Sequence, residues 1–220
     1  MAKVHPIIKV EGKIGDRIYY TLNGKPVARR IAKKRRGPKT KGEQKKALFA
    51  SEFGKASAAG RVLREALGEI YTRLNDRYLY QRINKIMALL RSADVSEPGF
   101  RTVAGGLATD EGQKLLADFD FHQKAVVFPR ILTANTVPGK LQLHFSDDTT
   151  KPVTVLELQI NFDNRAYRSH EHAFPKGVQA GPVTLKKRFR RKKGFTDLVF
   201  ISGPGFLQAV GLGGRGKGKG

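Results

Sequence analysis

The chain has 220 residues, a length that holds one large domain or two small ones, and its 40% hydrophobic content is enough for a core. It has no cysteine, which excludes a disulfide framework and a thiolate metal site. Its 42 Lys/Arg against 19 Asp/Glu give a net charge of +23, a self-repulsion that a polyanionic partner would relieve.

The opening, Met1-Ala2-Lys3-Val4-His5-Pro6, has too short an apolar stretch for a signal peptide, and Lys9 and Glu11 break it. No segment approaches the roughly 18 apolar residues that suggest a membrane span. The expectation is a soluble, cytoplasmic protein with no membrane partner. Residues 17–31 read as a β-hairpin. Ile18 to Leu22 is rich in β-formers, Asn23-Gly24 suits a type I′ turn, and Lys25 to Arg29 returns. Pro26 lacks an N–H and places the returning strand at an edge, while Gly12 and Gly15 suggest a turn before the hairpin.

A basic connector follows at 32–46. Near its end Thr40 and Glu43 have the spacing of a capping box, which starts a helix. Phe49, Phe53, Ala56, Gly60, Leu63, Leu67, Ile70 and Leu74 recur at intervals of four and three and define one apolar helix face. Asn75-Asp76 caps a second helix whose inner face is Leu79, Ile83, Ile86 and Leu90, giving an αα-hairpin over 40–92. Arg61, Arg64, Arg73, Arg77, Arg82, Lys85 and Arg91 fall mostly on its outer surface. Residues 92–112, with Pro98-Gly99 and Gly105-Gly106, read as loop.

From about residue 115 the period changes to two. Leu141, Leu143 and Phe145 alternate with polar residues, as do Leu156, Leu158, Ile160 and Phe162, and Ser146 to Pro152 links the two strands. Further strands are predicted at 124–128, 166–174, 182–189, 196–202 and 206–210. The fold class is therefore α+β: an N-terminal β-hairpin (1–31), a long αα-hairpin, then an antiparallel β-sandwich or partial barrel over 115–210. The Gly/Lys tail, 211–220, has too little apolar surface to fold and is expected to be disordered.

The pattern Ile14-Gly15, Tyr19-Tyr20, Asn23-Gly24-Lys25 and Val27-Ala28-Arg29, with Lys39-Thr40, Phe49 through Leu67 and Phe119-Asp120-Phe121, carries a resemblance. It resembles a group of uncharacterised proteins common in Bacteroidetes, in which such a hairpin precedes helices and a C-terminal β domain. The resemblance covers the first two-thirds of the chain well and the last third loosely. It implies the domain layout and no catalytic residue. The run at 186–193 and the Gly/Lys tail depart from it.

The charge is concentrated. Residues 1–46 hold 15 Lys/Arg and 3 Asp/Glu, whereas residues 94–163 hold 6 and 10. The first cluster is Arg29, Arg30, Lys33, Lys34, Arg35, Arg36, Lys39, Lys41, Lys45 and Lys46, ten cations in 18 residues. Gly37-Pro38 keeps it from being one helix, and such blocks bind phosphates with counterion release or, more blandly, form a solvated loop. The second is Lys186, Lys187, Arg188, Arg190, Arg191, Lys192 and Lys193 around Phe189. Both faces of a strand there would be charged, which predicts a projecting hairpin tip turned at Gly194, with Phe189 in the β core rather than stacked on a base. Arg215, Lys217 and Lys219 add a basic tail.

Tyr19 and Tyr20 are expected on opposite strand faces, one packed and one exposed. His170-Glu171-His172 could offer two imidazoles to a metal, but a third ligand is lacking and a surface strand end is the default. Asp147-Asp148 reads as turn chemistry, and Asp118 and Asp120 as alternating strand residues. No phosphate-binding loop, nucleophile elbow or HExxH pair occurs. The expectation is a protein that is not an enzyme and uses no cofactor or metal. It would bind nucleic acid, RNA or DNA, through phosphates and with little sequence preference. The alternative is a structural subunit of a larger phage-like or mobile-element assembly, its arms facing nucleic acid or acidic protein partners.

Overall fold

The computed structural model describes residues 10–33, 37–122 and 128–211. The chain divides into two compact units, 1–41 and 42–220.

The first unit is a three-stranded antiparallel sheet of β1 (Gly12–Ile14), β2 (Arg17–Leu22) and β3 (Lys25–Arg30), in that order. Asn23 (φ 51°) and Gly24 (φ 76°) both adopt positive φ, as the type I′ turn requires. Pro26 lies on the edge strand opposite Thr21. Asp16 ties the ends of the sheet together, accepting from Arg30 Nε at 2.8 Å and, through its carbonyl, from Ile31 N at 2.7 Å. Ile14 and Leu22 are each 55% exposed. Tyr19 and Tyr20 occupy opposite faces, but both are half-buried, so neither is packed away as the sequence suggested.

The second unit opens with α1 (Lys41–Leu67), which begins directly after Thr40. Its apolar face is buried only from Ala56 onward, through Ala59, Val62, Leu63, Ala66 and Leu67. Phe49 and Phe53, assigned to the inner face by their spacing, are 39% and 61% exposed. The reason is length. The returning helix α3 (Leu79–Ser92) has 14 residues against 27 in α1, about 21 Å against about 40 Å at the helical rise. It covers only the C-terminal half, where Gly60 lies against Asn84 and Met87 and Arg64 Nη1 donates to Asn84 Oδ1 at 3.1 Å. A Cβ at Gly60 would collide with the Asn84 side chain, so this glycine permits the close helix contact. The first helix does not run on to Leu74: Gly68 (φ 54°) breaks it, and α2 (Glu69–Arg73) follows.

Residues 92–112 are not all loop. Gly105 and Gly106 lie in α4 (Val103–Leu107), followed by α5 (Asp110–Ala117). A Cβ at Gly106 would strike the Leu90 carbonyl and one at Gly105 the Asp94 carboxylate, so the pair serves close packing on the end of α3 rather than a turn. Asp94 organises the segment. It accepts from Ser96 N (2.9 Å), Ser96 Oγ (2.7 Å), Thr102 N (2.7 Å) and Thr102 Oγ1 (3.1 Å). Thr102 in turn caps α4 by accepting from Gly105 N at 2.9 Å.

Two antiparallel sheets complete the unit. One has β4 (Ile131–Val137), β5 (Lys140–Phe145) and β8 (Gly181–Lys186), in the order β4-β5-β8. The other has β6 (Val153–Asn161), β7 (Ala166–Phe174), β9 (Thr196–Gly203) and β10 (Phe206–Val210), in the order β10-β9-β6-β7. The architecture is α+β with an open sandwich; among the described residues the sheets do not close into a barrel. Strand β6 is buried on both faces. Leu156, Leu158 and Ile160 join Leu63, Ile83, Met87 and Leu90 in a helix-to-sheet core. Val153 and Val155 join Leu141, Leu143, Phe145 and Ile201 in a core between the sheets. The predicted strand at 124–128 lies almost wholly outside the described residues, while β4 was not foreseen because a register shift between Ile131 and Thr133 breaks its alternation.

Candidate nucleic-acid interface

Alternate residues of a strand share a face, so Val153, Val155, Glu157 and Gln159 of β6 all turn away from the helices. The β4-β5-β8 sheet covers the valine half of that face. The polar half lies under the segment that leaves β8, residues 187–193. Buried Glu157 accepts from Arg188 N through Oε2 at 3.1 Å. Fully buried Gln159 donates through Nε2 to the Arg190 carbonyl at 2.9 Å. Asp197 on β9 accepts from Gln159 Nε2 at 3.0 Å and from Lys187 Nζ at 2.8 Å. Lys187 N also donates to the Gly139 carbonyl at 2.9 Å. The second basic run is therefore a strap held flat on the sheet, not a projecting tip. Side chains from two strands of that sheet, Glu157 and Gln159 on β6 and Asp197 on β9, hold down its backbone and one of its cations.

The strap keeps strand-like alternation. Lys187 and Phe189 turn inward and are half-buried, whereas Lys186, Arg188 and Arg190 are exposed, followed by exposed Arg191, Lys192 and Lys193. Phe189 is half-buried, lines a small cavity with Leu158, Leu198 and Val199, and belongs to neither hydrophobic core cluster. Lys192 Nζ sits 4.6 Å from the centre of the Phe195 ring, and the chain turns back at Gly194 (φ 77°) into β9. Among the described residues, Lys186, Arg188, Arg190, Arg191 and Lys193 form no ion pair.

Beside the strap runs an open groove. One wall is the strap, from Lys186 to Arg191. The rest of the lining comes from α4 and α5, with Ala104, Leu107 and Asp110, and from the end of β4 and the β4–β5 turn, Asn135 to Gly139, which the Lys187 N to Gly139 carbonyl bond joins to the strap. Among the described residues, every cation lining the groove comes from the strap, and Asp110 is the only lining carboxylate on the helices.

The first basic cluster is divided between the two units. Arg29 and Arg30 lie on β3, exposed, with Arg29 6.0 Å from the Tyr20 ring centre and Arg30 paired with Asp16. Lys33 and Lys39 are exposed in the connecting segment, and Lys41, Lys45 and Lys46 are exposed on the first turns of α1. Lys34, Arg35, Arg36, Arg215, Lys217 and Lys219 lie outside the described residues. Of the arginines on the helices, several are taken up structurally: Arg61 pairs with Glu65, Arg73 with Glu171, and Arg82 with Asp76. Arg82 also donates to the Phe121 carbonyl at 2.9 Å, and burial lowers its pKa.

His172 Nε2 lies 2.6 Å from Glu157 Oε1, and the His170 and His172 rings meet edge-on at 4.8 Å. Among the described residues no group of three His, Asp or Glu could hold a metal ion. Asp147 accepts from Ser146 Oγ within the turn, whereas Asp148 accepts from Ala180 N, 32 residues away, and so ties the turn to the segment before β8. Also among the described residues, no helix is long and apolar enough to cross a membrane.

In the sequence, Glu157 and Gln159 show only as polar residues alternating with Leu156, Leu158 and Ile160, and nothing marks Asp197. A signal was present: Val153 and Val155 share their face with Glu157 and Gln159, so that face had to be covered along at least part of its length. Comparison with protein-family models, curated proteins and solved structures finds no match for the chain.

Proposed function

We propose that this is a non-catalytic nucleic-acid-binding protein that engages phosphate backbones chiefly through the strap at 186–193. The supporting observation is the combination of a backbone tethered by Glu157 and Gln159 with exposed cations at Lys186, Arg188, Arg190, Arg191 and Lys193. A tethered cationic strand presents charge without first being ordered, which lowers the entropic cost of association. Arg29, Arg30, Lys33, Lys41, Lys45 and Lys46 add an exposed second contact set. Phosphate contacts alone carry no sequence information, so discrimination among sequences is weak. The test is fluorescence anisotropy of nuclease-treated protein with duplex DNA, single-stranded DNA and structured RNA across a salt series. The expected result is tight binding with log K falling steeply on log salt, a slope that corresponds to about six or more phosphates. Weak binding of all three at moderate salt overturns the proposal.

One observation favours a second reading, a subunit of a larger assembly. Leu48, Phe49 and Phe53 on α1 are exposed, as are Val95 and Phe100 in the loop between α3 and α4. Gly99 N donates to Glu52 Oε2 at 3.2 Å, which brings that loop against the same stretch of helix. Clustered exposed apolar side chains mark protein contact sites. Discrete oligomers that persist at high salt in light scattering favour this reading; a monomer at all salt concentrations rejects it.

A further inference from the structure

We infer that the groove beside the strap takes a single strand of nucleic acid, with phosphates along the strap and unpaired bases turned toward the opposite wall; this rests on the nucleic-acid reading above. The argument is the asymmetry of the lining. A duplex set into a groove presents a phosphate backbone to each wall. Here, among the described residues, the strap carries Lys186, Arg188, Arg190 and Arg191, while the helical side offers Ala104, Leu107 and the carboxylate of Asp110, and the end of β4 adds Asn135 and Thr136. Among the described residues, a second backbone on the helical side would meet Asp110 and no cation. A single strand has one charged side and one side of base edges and faces, and it matches both walls. The Asn135 amide and the Thr136 hydroxyl supply donors and acceptors for base edges. The Asp110 carboxylate accepts from exocyclic amines and repels phosphate. Phe195, half-buried at the end of the strap, adds an aromatic surface where a base can stack.

The spacing of the charges fits the same ligand. Outward residues two apart on an extended chain are separated by about 6–7 Å. Lys186, Arg188 and Arg190 therefore form a row whose repeat is close to that of successive phosphates along one strand.

The test compares a labelled unstructured oligonucleotide of about 12 nucleotides, within the range of known single-strand sites, with a duplex of the same length at one salt concentration. Wild-type protein is expected to bind the single strand at least about tenfold more tightly, against the higher charge density of the duplex. Asp110→Lys, an exposed position at the start of α5, places a cation on the far wall and should narrow that ratio by raising duplex affinity. Asn135→Ala should weaken the single strand about threefold or more and leave the duplex unchanged. Circular dichroism confirms that both variants fold. Equal or tighter binding of the duplex by wild type overturns the inference and leaves the nucleic-acid reading standing. A single-strand preference that neither variant alters also overturns it, because the groove is then not the site. Failure to bind either ligand overturns the reading on which it rests.

Discussion

Replacing Glu157 with alanine tests whether the strap is held from beneath. The carboxylate is 3% exposed and has two partners, Arg188 N at 3.1 Å and His172 Nε2 at 2.6 Å. A hydrogen bond to a charged group contributes about 1.5–3 kcal/mol net. Removing the carboxylate also relieves the cost of burying it, so the two losses do not simply add. A destabilisation of about 2–4 kcal/mol follows. For a unit of this size each kcal/mol lowers Tm by about 2–4 °C, giving a drop of about 5–15 °C. The second consequence is local. Without its central anchor the strap frays, and each residue that must be reordered on binding costs about 1–2 kcal/mol. Two such residues weaken nucleic-acid binding by about tenfold or more. Thermal melts and urea titrations give the first quantity, and anisotropy at fixed salt gives the second. Hydrogen exchange at 187–193 distinguishes local release from global loss. Glu157→Gln keeps the shape and an acceptor for Arg188 N, and should fall between wild type and the alanine variant. An alanine variant with wild-type exchange at the strap and a stability change under about 0.5 kcal/mol, the range of ordinary surface substitutions, would refute the reasoning.

Further outcomes are open to direct measurement. The double variant R188A/R190A should reduce the slope of log K against log salt by about 1.4 on a single strand and about 1.8 on a duplex, since each neutralised phosphate contributes about 0.7 and about 0.9 respectively; an unchanged slope places the contacts elsewhere. Gly106→Ala forces a methyl group into the Leu90 carbonyl and should destabilise by about 3 kcal/mol in urea unfolding. Asp94 has a depressed pKa: burial alone would raise it, but the hydrogen bonds from Ser96 and Thr102 outweigh that. Its stabilisation is therefore complete above the ordinary carboxyl range and is lost as pH falls through the depressed value. Asp94→Asn should be less stable than wild type at pH about 7, with the gap closing in acid; a gap constant across pH rejects the assignment. Phe53→Ser, at an exposed position, should leave Tm within about 2 °C of wild type. If α1 docks a protein partner, the same change should abolish oligomers seen by light scattering.

Much of the fold was legible because local chemistry and tertiary structure agree. Asn23-Gly24 is a turn by its own conformational preference, and β7 and β10 run over Ala166–Phe174 and Phe206–Val210, the limits their alternation predicts. The errors arise where a distant partner decides. Phe49 and Phe53 have the spacing of an inner face, but α3 is too short to reach them. Gly105-Gly106 has the look of a turn, yet the pair is helical because α3 and Asp94 leave no room for a side chain. The cations of the strap were identified from composition alone. Its course was not, since the residues that fix Arg188 and Arg190 lie 31 positions earlier in the chain.

The tethering scheme bears on how a chain of net charge +23 keeps its cations usable. The usual way to hold a charged segment is to pair its side chains, which neutralises the charge on display. In the strap that device is used once, at Lys187 with Asp197, and a second cation, Lys192, rests near the Phe195 ring. The other fixed points are main-chain groups: Arg188 N and the Arg190 carbonyl are bound by side chains that emerge from within the sheet, and Lys187 N by the Gly139 carbonyl. Holding the backbone leaves the guanidinium groups of Arg188 and Arg190 outside the bonding scheme. The negative charges of Glu157 and Asp197 lie beneath the row and offset part of its self-repulsion during folding. Solvent does not separate these carboxylates well from the cations above, so the offset is stronger than that of surface pairs. The cost of concentrating charge is thus met on the inner side of the strap, and the outer side stays exposed.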